Sequence, residues 1–218
     1  MSKSLFESLL KTTYRKGIGF GFNYKHPRLP VSVKRPCLFL KDLNTIVYNP
    51  KEVALQDKGP IFHEIELGFI VSRSGKNIPK ENAMEFVGGY FLLNDLTSQR
   101  VIEGMKIGES WCIHKNADNF FPLGEFIPKE IIKDPHNLTL ELKINGEIRQ
   151  NGSTRDMVFR IPELISFASS YMTLNEGDLF LTGTPPGPGP LKNGDYLEGK
   201  LIQDGKCISE LNFAVKLY

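Results

Sequence analysis

The sequence predicts a single β-rich α+β domain with a few short helices. Three observations support this prediction: the apolar runs are short and strand-like, glycine and proline are frequent, and helical spacing is rare. The 218 residues include 20 glycines, 14 prolines and 15 phenylalanines, which favours strands joined by turns. A chain of this length fits one domain. We divide it into a helical lead-in over residues 1–17 and a main domain over residues 18–218.

Charge and composition exclude several classes of protein. The net charge of +2 gives no strong field that would attract DNA or RNA. No apolar run approaches the roughly 20 residues that span a bilayer. We therefore expect neither a nucleic acid nor a membrane as a partner. Cys37, Cys112 and Cys207 are too scattered for a disulfide framework or a zinc site, and we expect them to be buried free thiols.

The first residues predict a surface helix over residues 4–13. Leu5, Leu9 and Thr12 lie at helical spacing, and basic residues surround them. Glu7 is unfavourable in a transit peptide, and no clear arginine-rich stretch follows it, so we find no clear targeting signal. The predicted compartment is therefore the cytosol or the mitochondrion.

The predicted strands follow from short apolar or alternating runs. The clearest is the hairpin at residues 138–149, in which apolar and polar residues alternate and Asn145-Gly146 supplies the turn. The other strands are predicted at residues 36–41, 62–72, 88–95, 110–115 and 178–181, with two more within 195–217. The glycine-rich segment at residues 17–22 is also extended, because prolines soon after it exclude the helix that a dinucleotide site requires.

Two internal helices and one loop complete the predicted elements. A helix is predicted over residues 161–172, because Pro162 suits its first turn. Its predicted apolar face consists of Leu164, Ile165, Ala168 and Tyr171. A shorter helix is predicted over residues 83–87, after Pro79. The stretch at residues 183–190 contains four prolines and must be a shaped loop.

The strongest chemical signal is an E-x-E pattern in the strand at residues 62–72. Residues two apart share a strand face, so Glu64 and Glu66 point the same way, with Ile65, Leu67 and Phe69 on the opposite face. A solvated face paired with lysines is the usual explanation of such a pattern. Here the strand continues into Gly-Phe-Ile-Val, which is typical of burial on both faces. A divalent cation would neutralise clustered carboxylates in that position.

A third carboxylate, Asp95, ends the apolar strand at residues 88–95. Three carboxylates without cysteine form an oxygen site that suits Mg²⁺ or Mn²⁺. No spacing rule joins Asp95 to the two glutamates, so their proximity needs other support.

Four segments, in this order, resemble the fumarylacetoacetate hydrolase superfamily, and most of all its small acylpyruvase and oxaloacetate decarboxylase branch. They are HEIELG, VGGYFLLNDLT, LTLELKINGEIRQNGSTRDMVFRIPELISFAS and LNEGDLFLTGTPPGPGPLKNGD. The resemblance runs from about Ile18 to the C-terminus. It implies a mixed β-sandwich roll like the C-terminal domain of fumarylacetoacetase, a homodimer, and small 2-oxo acid substrates such as acylpyruvates and oxaloacetate.

The resemblance also implies roles for individual residues. The implied metal ligands are Glu64, Glu66 and Asp95, the implied catalytic residues are His26 and Lys115, and the implied substrate-binding residues are Lys41, Gln99 and Thr184. We therefore predict a Mg²⁺- or Mn²⁺-dependent enzyme that acts through a metal-stabilised enolate. Its reaction is acylpyruvate hydrolysis, or decarboxylation or tautomerisation of oxaloacetate.

Two segments depart from the family pattern. In the family's G-R-N-Y-x-x-H-x-x-E motif, Phe22 replaces the arginine and Leu29 replaces the glutamate, so His26 lacks its acidic partner. An ordinary loop histidine is the alternative for this residue. After Asp95, Gln99 and Ile102 stand where the family often has arginine and glutamine.

These departures bear on the reaction, because hydrolysis needs an activated water and proton transfer does not. They favour tautomerisation or decarboxylation over hydrolysis. The alternative is a catalytically weakened homologue that serves as a metabolite-binding or structural dimer.

Overall fold

Two β-sheets account for most of the structure. The computed structural model describes residues 1–9, 15–25, 33–98 and 107–218. The described strands are β1 (Gly17–Gly21), β2 (Cys37–Lys41), β3 (Ile46–Tyr48), β4 (Glu52–Leu55), β5 (Ile61–Phe62), β6 (Ile65–Val71), β7 (Val87–Asn94), β8 (Thr97–Ser98), β9 (Phe121–Leu123), β10 (Ile127–Pro128), β11 (Thr139–Ile144), β12 (Glu147–Ser153), β13 (Leu179–Leu181), β14 (Tyr196–Gln203) and β15 (Lys206–Leu217). The predicted β-rich class is confirmed.

The larger sheet carries the candidate site. Its described strands run in the order β2-β1-β13-β6-β7-β9-β3, and β10 pairs with β7. The smaller sheet runs β12-β11-β14-β15-β4, and β5 and β8 form a separate ribbon. The predicted hairpin is β11–β12, with Asn145 and Gly146 at positive φ in its turn.

The described helices are short. They are α1 (Lys3–Leu9), α2 (Trp111–Lys115) and α3 (Ile161–Tyr171), with 3-10 helices at Leu43–Thr45, Lys80–Phe86, Lys129–Ile131 and Thr154–Asp156. Helix α3 confirms the prediction at residues 161–172, although Tyr171 is 64% exposed and lies outside the buried face. Helix α1 covers part of the predicted residues 4–13, and residues 10–13 lie outside the described part of the chain.

Two predicted elements are wrong. The strand predicted at residues 110–115 is helix α2, because Ser110 caps it by accepting a hydrogen bond on Oγ from the backbone N–H of Cys112 at 3.3 Å. The α-helix predicted at residues 83–87 is the longer 3-10 helix Lys80–Phe86, and Val87 already begins β7. Buried thiols are also a wrong prediction, since Cys112 and Cys207 are exposed and Cys37 is half-buried.

The strand predicted at residues 62–72 is interrupted at residues 63 and 64, and its main part, β6, is buried along its whole length as predicted. Ile65, Leu67 and Phe69 belong to the core between the two sheets, whereas Ile70 belongs to a second cluster on the other face of the larger sheet. Phe6 of α1 covers that second cluster and stacks on Phe126 at a centroid distance of 5.0 Å. The division between a lead-in and a main domain at residue 17 stays a prediction.

The two sheets approach closely behind the start of β6. Gly199 of β14 faces β6, and a Cβ atom there would lie 2.9 Å from Cδ1 of Ile65. Glycine is required here by the close approach and not by a turn. The smaller sheet therefore packs directly against Ile65 and fixes its position.

Among the helices that the structure describes, we find none long and apolar enough to cross a membrane.

Candidate active site

Antiparallel pairing brings the three predicted metal ligands together. The start of β6 lies opposite the end of β7, with Ile65 facing Asn94. The backbone N–H of Asp95 donates to the carbonyl of Glu64 at 2.8 Å. One carboxylate oxygen from each of Glu64, Glu66 and Asp95 lies within 4.8 Å of the others. The sheet register thus supplies the link that sequence spacing did not.

Lys115, at the end of α2, points into these carboxylates. Its Nζ donates to Oε2 of Glu64 at 2.8 Å, to Oδ2 of Asp95 at 2.6 Å and to Oγ1 of Thr97 at 2.6 Å. Lys115 is therefore in the site at the position that the resemblance implies for it. Thr97 is a further site residue that the sequence patterns do not predict, although it stands two residues after Asp95 in the segment VGGYFLLNDLT.

Lys41, at the end of β2, contacts the same aspartate from the other side. Its fully buried Nζ donates to Oδ1 of Asp95 at 2.5 Å and to the carbonyl of Lys115 at 2.7 Å. We call Lys41, Glu64, Glu66, Asp95 and Lys115 the charged cluster. In this structure Lys41 positions Asp95, and its predicted contact with substrate stays a prediction.

The charged cluster contains three carboxylates and two ammonium groups, which leaves one negative charge unmatched. Glu66 is the unmatched group, because no lysine or arginine of the described ranges lies within 4.0 Å of its carboxylate. Burial, together with the charges of Asp95 and Glu64, holds the pKa of Glu66 well above its usual range.

The other members of the charged cluster are shifted by their partners. Burial would raise the pKa of Asp95, but the ammonium groups of Lys115 and Lys41 outweigh it and lower that pKa. Burial lowers the pKa of Lys41. Burial opposes the charge on Lys115 as well, yet Asp95 and Glu64 raise its pKa. Burial raises the pKa of Glu64.

The residues present fit a divalent cation. The donor atoms are all carboxylate oxygens, which Mg²⁺ and Mn²⁺ prefer over softer ligands. The ammonium of Lys115 contacts two of the three carboxylates, so a positive charge is already favoured at this point. The unmatched charge of Glu66 gives a cation a further electrostatic reason to bind.

The loop after β13 closes over Glu66. The backbone N–H of Gly183 donates to Oε2 of Glu66 at 2.7 Å. Gly183 has a φ of +94°, and a Cβ atom on it would lie 2.9 Å from Cβ of Asn23, so only glycine fits there. Thr184 lies beside this contact, and its hydroxyl donates to the carbonyl of Ile65 at 2.8 Å.

A buried glutamine joins this loop to the start of β6. Gln150 of β12 donates through Nε2 to Oγ1 of Thr184 at 2.7 Å and to the carbonyl of Pro185 at 2.8 Å. Its Oε1 accepts from the backbone N–H of Ile65 at 3.1 Å and lies 2.9 Å from Nδ1 of His63. Since Oε1 is an acceptor, His63 carries its proton on Nδ1. We call Gln150 with these four contacts the amide hub.

A tyrosine hydroxyl also lies buried near Glu66. The hydroxyl of Tyr24 is buried beside the side chain of Thr182, and burial followed by the charge of Glu66 raises its pKa. Asn23 holds this segment in place, because its Nδ2 donates to the carbonyls of Phe159 and Thr182 at 3.0 and 2.8 Å. Neither Tyr24 nor Gln150 was predicted as a site residue, although both stand in motifs of the resemblance.

Two predicted site residues, His26 and Gln99, lie outside the described residues. Of the other predicted residues, Glu64, Glu66, Asp95, Lys41 and Lys115 form one cluster. Thr184 joins them through the contacts of its loop.

Comparisons with known proteins identify the family of this chain. The sequence profile of the family described as fumarylacetoacetate (FAA) hydrolase C-terminal matches residues 18–212. The mitochondrial oxaloacetate tautomerase FAHD1 of Oryza sativa subsp. japonica is 42% identical over 192 residues, which cover 84% of this chain and 83% of that protein.

Solved structures of similar fold include proteins whose names are of the same kinds, a hydrolase and an isomerase. The fumarylpyruvate hydrolase from Pseudomonas aeruginosa in complex with Mn²⁺ and pyruvate superposes with a TM-score of 0.83 at 28% identity, covering 94% of this chain and 90% of that one. The 5-carboxymethyl-2-hydroxymuconate delta-isomerase from Mycobacterium smegmatis superposes with a TM-score of 0.81 at 32% identity, covering 93% and 77%.

Proposed function

Because the chain belongs to the fumarylacetoacetate hydrolase family, we propose that it is a Mg²⁺- or Mn²⁺-dependent enzyme that interconverts the enol and keto forms of oxaloacetate and related 2-oxo acids. The observation that carries this proposal is the charged cluster, in which three carboxylates and two lysines lie together, largely buried, with one negative charge unmatched. The relative named as an oxaloacetate tautomerase supports the substrate, and the neighbour named with Mn²⁺ and pyruvate supports the metal and the 2-oxo acid.

Tautomerisation suits these residues better than hydrolysis. It moves one proton between C3 and the 2-oxo oxygen, breaks no C–C bond and needs no activated water. The chain has Leu29 where the family's lid has the glutamate that pairs with the histidine, so water activation lacks a component. A divalent cation held by Glu64, Glu66 and Asp95 would polarise the 2-oxo acid and stabilise negative charge on its oxygen.

The remaining chemistry belongs to side chains of this chain. Lys115 holds a proton next to the carboxylates, and we assign it to donate a hydrogen bond to the substrate oxygen. Glu64 marks the open side of the cluster, since its side chain is 20% exposed and that of Asp95 is fully buried. His26 remains the candidate that moves the C3 proton, and Gln99 and Thr184 remain the candidates that orient the substrate.

Two further parts of this proposal come from the relatives. We propose a homodimer, as the resemblance implies, which light scattering of the purified protein would test. The mitochondrial names of relatives favour the mitochondrion over the cytosol for this chain.

The experiment is the Mg²⁺-dependent loss of enol-oxaloacetate absorbance. We expect turnover with Mg²⁺ and a loss of about 100-fold or more in Glu64→Gln, because a ligand carboxylate is removed. Glu52→Gln, an exposed carboxylate on β4, is the matched control and keeps the wild-type rate. A wild-type rate no higher than that of Mg²⁺ alone, at several millimolar substrate, contradicts the proposal.

Thermal melting of the same protein with ligands distinguishes the alternative function from catalysis. A catalytically weakened homologue that only binds metabolites would lack turnover, yet Mn²⁺ with oxalate would raise its melting temperature. The substitutions at Phe22, Leu29, Gln99 and Ile102 favour this second candidate. If neither ligand shifts the melting temperature, the binding function is excluded as well.

A further inference from the structure

Three aromatic side chains form a continuous layer that begins at the charged cluster. The ring of Phe39 lies with its centroid 4.9 Å from Nζ of Lys115. Trp111 follows at 5.5 Å from Phe39, and Phe22 follows at 5.4 Å from Trp111, edge-on at 66°. We call Phe39, Trp111 and Phe22 the aromatic shelf. It extends from the metal-binding carboxylates to the end of β1.

The glycine-rich strand β1 is the floor of this shelf. A Cβ atom on Gly19 would lie 2.1 Å from Cζ of Phe39, and one on Gly21 would lie 2.1 Å from Cη2 of Trp111. Ile18 and Phe20, on the other face of β1, belong to the core. The glycines of the G-x-G-x-G segment therefore allow aromatic rings to lie flat on the strand. This packing explains Gly19 and Gly21, which the chemistry of the charged cluster does not require.

The outer end of the shelf is strained and partly open. Phe22 has a φ of +57°, in the left-handed region that a bulky side chain rarely adopts. Such strain costs free energy and concentrates at functional sites. Phe22 and Trp111 are only half-buried, so this strain does not serve to fill the core. These two rings instead continue, in a partly open position, the aromatic layer that begins at Lys115.

We propose that the aromatic shelf binds an apolar substituent on C3 of the substrate, so that the enzyme binds 2-oxo acids with an aryl or alkyl substituent more tightly than pyruvate, which has none. This inference depends on the proposed function, which supplies the site for the 2-oxo acid group. The ammonium that contacts the shelf, Lys115, is already paired with Glu64 and Asp95. Burying an aryl group against aromatic rings is favourable.

The test compares two 2-oxo acids that differ only in the C3 substituent. Calorimetry with Mg²⁺ present measures the Kd of pyruvate and of phenylpyruvate for the full chain. We expect phenylpyruvate to bind at least about tenfold more tightly, because an aryl group of this size gains contacts worth more than a single methylene. Trp111 is the one tryptophan of the sequence, so phenylpyruvate should also quench the intrinsic fluorescence more strongly than pyruvate does.

Variants assign the preference to the shelf. Phe22→Ala should reduce the ratio of the two Kd values to about threefold or less, since one wall of the apolar site is lost. Phe22→Tyr keeps the ring and should keep the ratio. Ile113→Ala, on the exposed side of α2, is the matched control and should also keep it. Trp111→Leu, on a different element, gives a second test if Phe22→Ala does not fold.

Two results overturn the inference. Equal affinities of the wild type for pyruvate and phenylpyruvate would do so, and so would an unchanged ratio in both Phe22→Ala and Trp111→Leu. Failure of the proposed function has a different signature, because then Mg²⁺ gives no turnover of oxaloacetate, whatever the two Kd values are.

Discussion

Two polar networks hold the same short stretch of chain around Ile65, and they differ in charge. The amide hub is neutral, and all four hydrogen-bonding positions of Gln150 are used. The charged cluster has five ionisable groups and one charge without a partner. A fully satisfied buried network fixes geometry, whereas an unsatisfied one keeps an interaction available for a ligand. Positioning and chemistry are thus separated in space at this site.

The largest expected change comes from breaking the charged cluster with Lys41→Met. Methionine fills the same space but leaves Asp95 with one fewer cation, so the free energy of unfolding should fall by about 3–5 kcal/mol. Urea unfolding followed by circular dichroism measures this. Lys34→Met, an exposed lysine, is the control and should change little. A loss below about 1 kcal/mol in Lys41→Met would mean that the pair is not effectively buried.

A smaller loss is expected from the amide hub. Gln150→Leu keeps the packing but leaves the buried N–H of Ile65 without an acceptor, which costs about 1–3 kcal/mol. The matched control is Gln203→Leu. Gln203 also makes two hydrogen bonds to backbone, but it is only half-buried and water can replace them. Equal losses of unfolding free energy in both variants would contradict a special role of the hub.

Glu66→Gln tests the unmatched charge of the cluster through the direction in which its effect on the free energy of unfolding changes with pH. The folded-state pKa of Glu66 lies above its ordinary value of 4.5, so its ionisation costs stability that grows as pH rises above 4.5. In EDTA, Glu66→Gln should therefore be more stable than the wild type at neutral pH and no more stable near pH 4.5. Mg²⁺ should stabilise the wild type and not the variant. Unfolding by urea at both pH values measures this, and a variant less stable than the wild type at neutral pH would contradict it.

The smallest effect is expected from an exposed ion pair outside both networks. Arg73 and Glu85 lie 2.6 Å apart, but their side chains are 52% and 62% exposed. Glu85→Ala should change the free energy of unfolding by less than about 1 kcal/mol, because water and salt screen the pair. Thermal unfolding at low and high salt is the measurement. A larger, salt-independent loss would show that solvent exposure does not distinguish this pair from the charged cluster.

Sequence patterns predict the charged cluster better than the hub. Strand alternation correctly places Glu64 and Glu66 on one side and Ile65 on the other, and the resemblance adds Asp95. The contacts of Gln150 are invisible to such reasoning, because its partners His63 and Ile65 lie 87 and 85 residues away in the chain. Only the packing of one sheet against the other brings them together.

Helix α2 illustrates a second limit of sequence patterns. Its residues include tryptophan, cysteine and isoleucine, which favour strands, so local preference predicts the wrong element. The cap by Ser110 and the burial of Lys115 among carboxylates outweigh that preference. By contrast, the hairpin at Asn145-Gly146 and helix α3 carry strong local signals, and both are predicted correctly.

The close approach at Gly199 has a mechanical consequence for the strand that carries the candidate metal ligands. Ile65 lies between Glu64 and Glu66, and the opposite sheet packs against it at a glycine, which has no side chain to compress. This part of β6 is therefore stiff, and the two carboxylates are attached to a backbone that deforms little. When a cation binds, we therefore expect the side chains to rotate and the backbone of β6 to keep its position.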